Sequence, residues 1–451
     1  MSRSLSFESD PVDQPAASDA LERATWCALR VRVGDRFASR IWDRELNGER
    51  TTLYVPAFPI AEWIANNWWF LFHEPCRWEA VPRSVGRPAE FDWTRRHCLR
   101  AADSALLLPN LFVFHDGHGP RVEWRPDASG SLPNMPGEFI GYGAEPLDAG
   151  PTQSALGEFV RATLGRVSHL PDERALELAT LWRSIEKADE DERQFCTLAG
   201  TMGIDPYDPD TMTEELASFL EEAATEHTLP LVLDLAKVSG PGTIEERWSW
   251  IVEASRELGM LSGPRLRFPD LPSRDLSPAE FGYELARKVR RRLSEELGPL
   301  PSVEELGPLP SVEEAANRLL AGRFRVVARN HVPGKEVQAI VGMTLRGEVI
   351  AAGPEVPSES GRRFQVARRL FHALIGRESC PRLVTRGFSW DQKASRAFAA
   401  ELLAPQRALM ARLADDLADA QFIDQAAGEF QVSSMVVQRQ LENAGAGLSA
   451  D

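Results

Sequence analysis

Arg368, Arg369 and His372 carry most of the chemistry this sequence offers. They lie in the run Arg368-Arg369-Leu370-Phe371-His372, where a four-residue spacing puts Arg368 and His372 on one side of a helix. Two guanidiniums that stay protonated at any relevant pH repel a dication and attract an oxyanion. With Arg396 they make a cluster that could hold a phosphate or a partner's carboxylate. The alternative is internal pairing with Glu401, Asp391 or Glu378. A metal site could draw on His372, Glu378 and Cys380, with Asp391 nearby in sequence. A single histidine on an apolar helix is more often a hydrogen-bonded core or rim residue than a ligand.

Other reactive types are scattered. His73, His97, His115 and His118 lie in the N-terminal domain, and His115-Asp116-Gly117-His118 is a hairpin turn in which polar residues are expected. A turn-borne His-x-x-His could at most bind metal weakly. The five cysteines, Cys27, Cys76, Cys98, Cys196 and Cys380, never form a C-x-x-C pair, which excludes a zinc ribbon and points to free thiols in a reducing cytoplasm. No G-x-S-x-G, Walker A or G-x-G-x-x-G occurs with suitable flanks, so serine-hydrolase, nucleotidase and dinucleotide readings lack support.

Composition narrows the partners. With 67 acidic against 51 basic side chains the formal charge is −16, which opposes accumulation on nucleic-acid phosphates unless a local basic surface overrides it. The compact basic run, Arg287-Lys288-Val289-Arg290-Arg291-Arg292, precedes Ser294-Glu295-Glu296 and reads as a solvated helix face with local ion pairs. Phe195 to Ile204 followed by Asp205-Pro206-Tyr207 has the pattern of two short helices joined at Gly203, but it lacks Arg or Lys at the positions that would read DNA. Nucleic acid is therefore not the favoured partner. The apolar stretch from Ile60 to Phe72 is too short to span a bilayer, so no membrane association is expected.

The elements that would position these groups can be read from periodicity. Residues 1–23, rich in Ser, Asp and Pro, are expected to be a disordered tail. Residues 24–130 carry alternating strands, an Asn47-Gly48 hairpin between Ile41-Trp42 and Leu53-Tyr54-Val55, and two helical patterns, Pro59 to Phe72 and Trp93 to Leu107. This predicts a small α+β domain. It holds eight of the twelve tryptophans, which fill a core or line a groove. Residues 150–258 predict a helical region, and 259–310 a linker and helix containing a nine-residue duplication, Glu295 to Val303 recurring as Glu304 to Val312. From about Ser311 to the end the expected order is helix (Ser311 to Leu320), three strands (Phe324 to Ala328, Val337 to Met343, Glu348 to Ala352), then helices over Arg363 to Ile375 and Lys393 to Leu403, followed by short helices. The whole is expected to be a multi-domain α+β protein: a small N-terminal α+β domain, a helical middle, and a C-terminal α+β domain.

That C-terminal order, with the phrases Arg363-Phe364-Gln365-Val366-Ala367 and Phe398-Ala399-Ala400-Glu401-Leu402-Leu403-Ala404-Pro405, resembles the ImmA/IrrE metallopeptidase domain. The stretch Phe430-Gln431-Val432-Ser433-Ser434 through Arg439-Gln440-Leu441-Glu442-Asn443 fits the helical pair that closes such domains. The resemblance covers about 311–445 and implies a zincin-like fold. In this family an Arg-Phe-x-x-Ala lead runs into His-Glu-x-x-His, whose two histidines bind zinc while the glutamate activates water. Here Arg368 stands at the first ligand position, Arg369 at the general base and His372 at the second ligand. Gln392 aligns with the third, carboxylate ligand, with Lys393 or Ala394 as alternatives by spacing.

The resemblance therefore implies a pseudopeptidase with no metal, no other cofactor and no catalytic residue. It points to a cytoplasmic regulatory or scaffolding protein with a protein partner, in a bacterial stress-response, mobile-element or phage-defence setting. Two alternatives stand beside it: an active zinc metallopeptidase using displaced ligands, and a transcriptional regulator contacting DNA through helices at 192–208 or 429–443.

Overall fold

The computed structural model describes residues 3–13, 17–82, 88–127, 136–223, 229–260, 270–273, 275–297, 307–309, 311–320, 323–329, 334–376, 381–413 and 417–448. The chain is a multi-domain α+β protein. It divides into two compact units, Met1–Leu220 and Glu221–Asp451, and each has its own apolar core. The boundary falls inside the helical region expected over 150–258. Among the described residues no helix is long and apolar enough to cross a membrane.

The first unit opens with strand β1 (Leu5–Pro11), where a disordered tail was expected, then helix α1 (Ala20–Thr25) and strand β2 (Trp26–Val33). β1 pairs with β2 antiparallel over its full length, from Leu5 opposite Val33 to Pro11 opposite Cys27. The pairing explains the difference. Leu5 and Phe7 point inward with Leu29, Val31 and Val33, so a Ser- and Asp-rich segment is held by backbone hydrogen bonds and only two apolar anchors.

Strands β3 (Arg36–Phe37), β4 (Ile41–Asp43), β5 (Gly48–Arg50) and β6 (Leu53–Pro56) follow. Asn47 takes a left-handed φ of 47° at the turn between β4 and β5, as an Asn-Gly hairpin requires. The partner of β4 is thus β5, while Leu53 to Val55 of β6 pairs with β2 instead.

The helical pattern from Pro59 to Phe72 is broken at Asn67 into α2 (Phe58–Asn66) and α3 (Trp68–His73). The Asn67 N–H and its side-chain amide both donate to Trp63 O, at 3.1 and 2.8 Å. After α4 (Pro88–His97) and a single 3-10 turn over Leu99–Ala102 come β7 (Asn110–His115), β8 (Pro120–Arg125), β9 (Gly137–Phe139) and β10 (Gly143–Pro146). Trp63, Trp68, Trp69, Trp93 and Trp124 are all buried: these tryptophans fill core.

Helices α5 (Ala149–Val167), α6 (Glu173–Lys187), α7 (Glu190–Met202) and α8 (Glu214–Ala223) complete the ordered elements of this stretch. A Cβ at Gly200 would lie 2.8 Å from Trp69 O, so glycine allows α7 to press on α3. Gly203 closes α7 with a left-handed φ of 78°, and the next helix starts only at Glu214. The helix pair expected at Gly203 does not form, because Asp205-Pro206-Tyr207 makes turns instead.

The second unit contains α9 (Leu229–Ala236), α10 (Ile244–Glu257), α11 (Pro278–Leu297), α12 (Val312–Leu319), β11 (Phe324–Ala328), β12 (Val337–Met343), β13 (Val349–Gly353), α13 (Glu359–Ile375), β14 (Arg382–Thr385) and α14 (Trp390–Leu403). Then come α15 (Gln406–Met410), β15 (Leu417–Ala418), α16 (Ala420–Phe430), α17 (Ser434–Ala444) and β16 (Gly447–Leu448). The four-stranded sheet runs β11-β13-β12-β14, with β11 parallel to β13 and the other pairs antiparallel. The expected elements are present in the expected order, with β14, β15 and β16 as additions. Residues 261–269, 274, 298–306 and 310, which include parts of the expected linker and duplication, lie outside the described residues.

Helices α11 and α14 nearly touch backbone to backbone. A Cβ on Gly282 would fall 2.4 Å from Ala394 O and 2.7 Å from Phe398 N. Around that crossing Phe281 meets Trp390 at 4.9 Å and Phe371 at 6.2 Å, both edge to face. This packing fixes α14 relative to α13, the two helices that carry the residues of interest.

Candidate functional site: a guanidinium at the α13 and α14 junction

Helix α13 begins at a Ser358 cap, whose side chain accepts from Gly361 N. Its apolar side, Val366, Ala367, Leu370, Phe371 and Leu374, is buried in the core. Arg368, Arg369 and His372 are buried with it, at 2%, 3% and 2% exposure.

Arg368 is bonded on nearly every side. Its Nε donates to Ser395 Oγ at 3.1 Å, one Nη to Gln338 Oε1, and the other to Thr385 O at 2.8 Å and Gln392 Oε1 at 2.7 Å. Four donations reach β12, β14 and α14, and all four acceptors are neutral. Burial above all, and then the neighbouring Arg396 and Arg369, pull this guanidinium well below its ordinary value. Such a cation is tolerated only because its donors are satisfied.

Gln392 sits where the resemblance puts a carboxylate ligand, and its amide is fully used. Oε1 accepts from Arg368 and from Thr385 N at 2.9 Å, while Nε2 donates to Leu383 O at 2.8 Å. A carboxylate here would set an oxygen against the Leu383 carbonyl, with no proton between them. The amide thus stitches the start of α14 to β14, and Ser395 Oγ closes the turn by donating to Gln392 O at 2.9 Å.

His372 is near this network without joining it. Neither ring nitrogen has a hydrogen-bond partner, and the ring meets Phe371 edge to face at 5.4 Å. Burial pushes it down to about 3, against a smaller upward pull from Asp391. Arg369 donates one long bond, to Gln338 O at 3.5 Å, and its Nε has no partner.

Two of the acids proposed as internal partners, Glu401 and Asp391, are engaged elsewhere. Glu401 pairs with Arg287 at 2.8 Å and also accepts from Gln406 N and Gln440 Nε2, at 3.0 and 2.9 Å. It is a buried hub joining α11, α14, α15 and α17, a role for which only its place in the Phe-Ala-Ala-Glu-Leu-Leu phrase gave a signal. Asp391 pairs with Arg382 at 3.0 Å. Arg382 in turn forks onto buried Asp234 of α9 at 2.7 and 3.1 Å, a link that sequence reasoning missed because the partners are far apart in the chain. Glu378 and Cys380 lie outside the described residues. Arg396 donates to the carbonyls of Arg386 and Gly387, at 2.8 and 2.7 Å, and lies over the Phe388 ring. The three arginines therefore do not present one shared anion face.

The basic run of α11 is only partly a solvated face. Lys288 pairs with Asp270 and Glu284, but Arg290 is buried and donates to Leu402 O at 2.8 Å, and burial lowers it to about 10. Among the described residues no group of three His, Cys, Asp or Glu side chains could hold a metal ion. In the His115 to His118 turn, His115 Nδ1 accepts from Gly117 N at 2.9 Å and so closes the turn itself.

The first unit holds a second buried network. Glu74 receives Arg96 Nε and Nη at 2.8 and 2.6 Å and faces His97 Nε2 at 2.9 Å, while His97 Nδ1 meets Val113 O at 2.6 Å. Burial pushes the carboxyl up, but its His97 and Arg96 bonds outweigh that and hold it at about 2. Every strong group here has an internal partner, which marks a structural tie between α3, α4 and β7.

Zinc is the metal that the resemblance implies, and the residues present do not fit it. Two guanidiniums occupy the first-ligand and base positions, and an amide committed to Leu383 O occupies the third. A scan of known protein families finds no matching model, and a search of curated proteins finds no relative.

Proposed function

We propose that the chain is an ImmA/IrrE-like protein without peptidase chemistry, acting as a regulatory or scaffolding component by engaging a protein partner. The setting implied by the resemblance is a bacterial stress-response, mobile-element or phage-defence system. The observation that carries this reading is the Arg368 to Gln392 bond. Two positions that would share a metal in a zincin are joined directly, by a cation and an amide that both complete their bonding within the protein. A regulator that reads DNA is less well supported, because the pair at Gly203 is absent and the α16 and α17 pair exposes Asp424 and Glu429 on its first helix.

The test is elemental analysis of purified full-length protein with a parallel assay against co-encoded proteins. The expected result is zinc well below one equivalent per chain, unchanged by His372→Ala, and no cleavage. Stoichiometric zinc lost in His372→Ala, or chelator-sensitive proteolysis, would overturn the reading.

A further inference from the structure

The bonding of α13 is uneven in a way that its fold does not require. Arg368 is saturated, whereas its neighbour Arg369, equally buried, makes one bond at the 3.5 Å limit and leaves Nε without a partner. No carboxylate lies within ion-pair distance of Arg369 among the described residues. One turn earlier on the same helix face, Gln365 Oε1 is also buried and unpartnered. Gln365 is half-exposed, so this face leads from the core to solvent. Gly353 makes room for the guanidinium: a Cβ there would lie 2.9 Å from Arg369 Nη2 and 2.4 Å from Gln338 O.

We propose that Arg369 and Gln365 form a binding site for a small oxyanion, a carboxylate or a phosphate, with Arg369 supplying the charged donors and Gln365 Oε1 accepting a hydrogen bond where the ligand carries an O–H. The charge that acts favourably on Arg369, Glu313, is already paired with Arg362, and a buried guanidinium without a direct ion pair is costly to hold in a core. An oxyanion is the complement of its planar donor fork. A hydrogen phosphate carries both the charge that complements Arg369 and the O–H that Gln365 Oε1 can accept, whereas a carboxylate supplies the charge alone. The site names a ligand class for the proposed pseudopeptidase and rests on that reading for its biological use, while its chemistry rests on the under-bonded Arg369 and Gln365 alone.

The experiment is thermal unfolding of the full chain with added inorganic phosphate or acetate, at constant ionic strength against chloride, for the parent and Arg369→Met. The parent should gain about 2–6 °C at saturating anion. Arg369→Met should show no gain and, without anion, melt no lower than the parent. The phosphate and acetate arms separate the two ligand sources. An equal gain in Arg369→Met, no gain with either anion, or a variant that melts lower without anion would each overturn the site. None of these results changes the zinc measurement, so failure here is distinct from failure of the pseudopeptidase reading.

Discussion

Arg368 Nη2 donates to Gln392 Oε1 across 2.7 Å, and the same oxygen takes the Thr385 N–H at 2.9 Å. The two side chains are complementary: a donor fork facing an amide whose own donor is turned to Leu383 O. Replacing either one alone leaves the other one bond short inside the protein.

Arg368→Met should therefore destabilise the second unit. It leaves Gln392, Thr385, Ser395 and Gln338 short of a donor, and relieves a buried charge at the same time. The net expectation is a loss of about 1–3 kcal/mol, read as a lower urea midpoint with an unchanged slope. Arg368→Lys should not rescue it, because one ammonium cannot span three elements. A methionine variant as stable as the parent would mean that desolvation cancels all four bonds.

If positions 368, 372 and 392 converge as in a zincin, zinc binding should be recoverable. The combination Arg368→His, Arg369→Glu and Gln392→Glu should bind about one zinc per chain, with loss on adding His372→Ala. Each single change should bind none. Metal analysis after gel filtration decides it, and zinc binding indifferent to His372 would show that these positions do not meet.

Acid sensitivity should carry a His372 component. Burial lowers this histidine from 6.5 to about 3 in the folded protein, so between those values the unfolded chain binds more protons. Stability from this group is thus complete above about pH 7 and falls as pH drops through 6.5 toward 3, by up to about 1.4 kcal/mol per pH unit. His372→Leu should flatten the stability profile between pH 5 and 7, measured by urea unfolding. An unchanged slope would place the histidine in water.

Glu74→Gln should weaken the first unit strongly. The carboxylate compensates Arg96 and faces His97 in a buried site, and breaking such a set costs about 3–5 kcal/mol. Because the carboxyl is lowered from 4.5 to about 2, its contribution is present above pH 4.5 and lost as pH falls toward 2. The glutamine variant should lose that part of the acid dependence, measurable as a smaller stability change between pH 5 and 3.

Where side-chain periodicity is strong, the sequence was legible. β11 and β12 fall on the expected residues, while α13 begins four residues earlier than expected, at the Ser358 cap, and α14 three residues earlier, at Trp390. β14 was not legible, since four residues, Arg-Leu-Val-Thr, carry too little alternation to stand out. β1 was hidden for a related reason: its stability comes from a partner strand, which no local composition reports. The arginines were expected either to hold an anion or to pair with Glu401, Asp391 or Glu378, and Arg368 instead spends its donors on neutral acceptors. Asp391 and Glu401 are near them in sequence, yet Arg382 and Arg287 reach those acids first. Such competition depends on which helices cross, and the crossing at Gly282 is a property of the tertiary fold.

The joint made by Arg368 has a consequence for how this unit comes to be assembled. A metal-held junction has a dissociation constant, and its occupancy follows the free ion concentration around it. A guanidinium on the chain has none: it arrives with translation and cannot be chelated, exchanged or starved away. Cells poor in transition metals and cells rich in them would hold the α13, α14 and β14 junction in the same state, and any signal this protein answers must enter by another route.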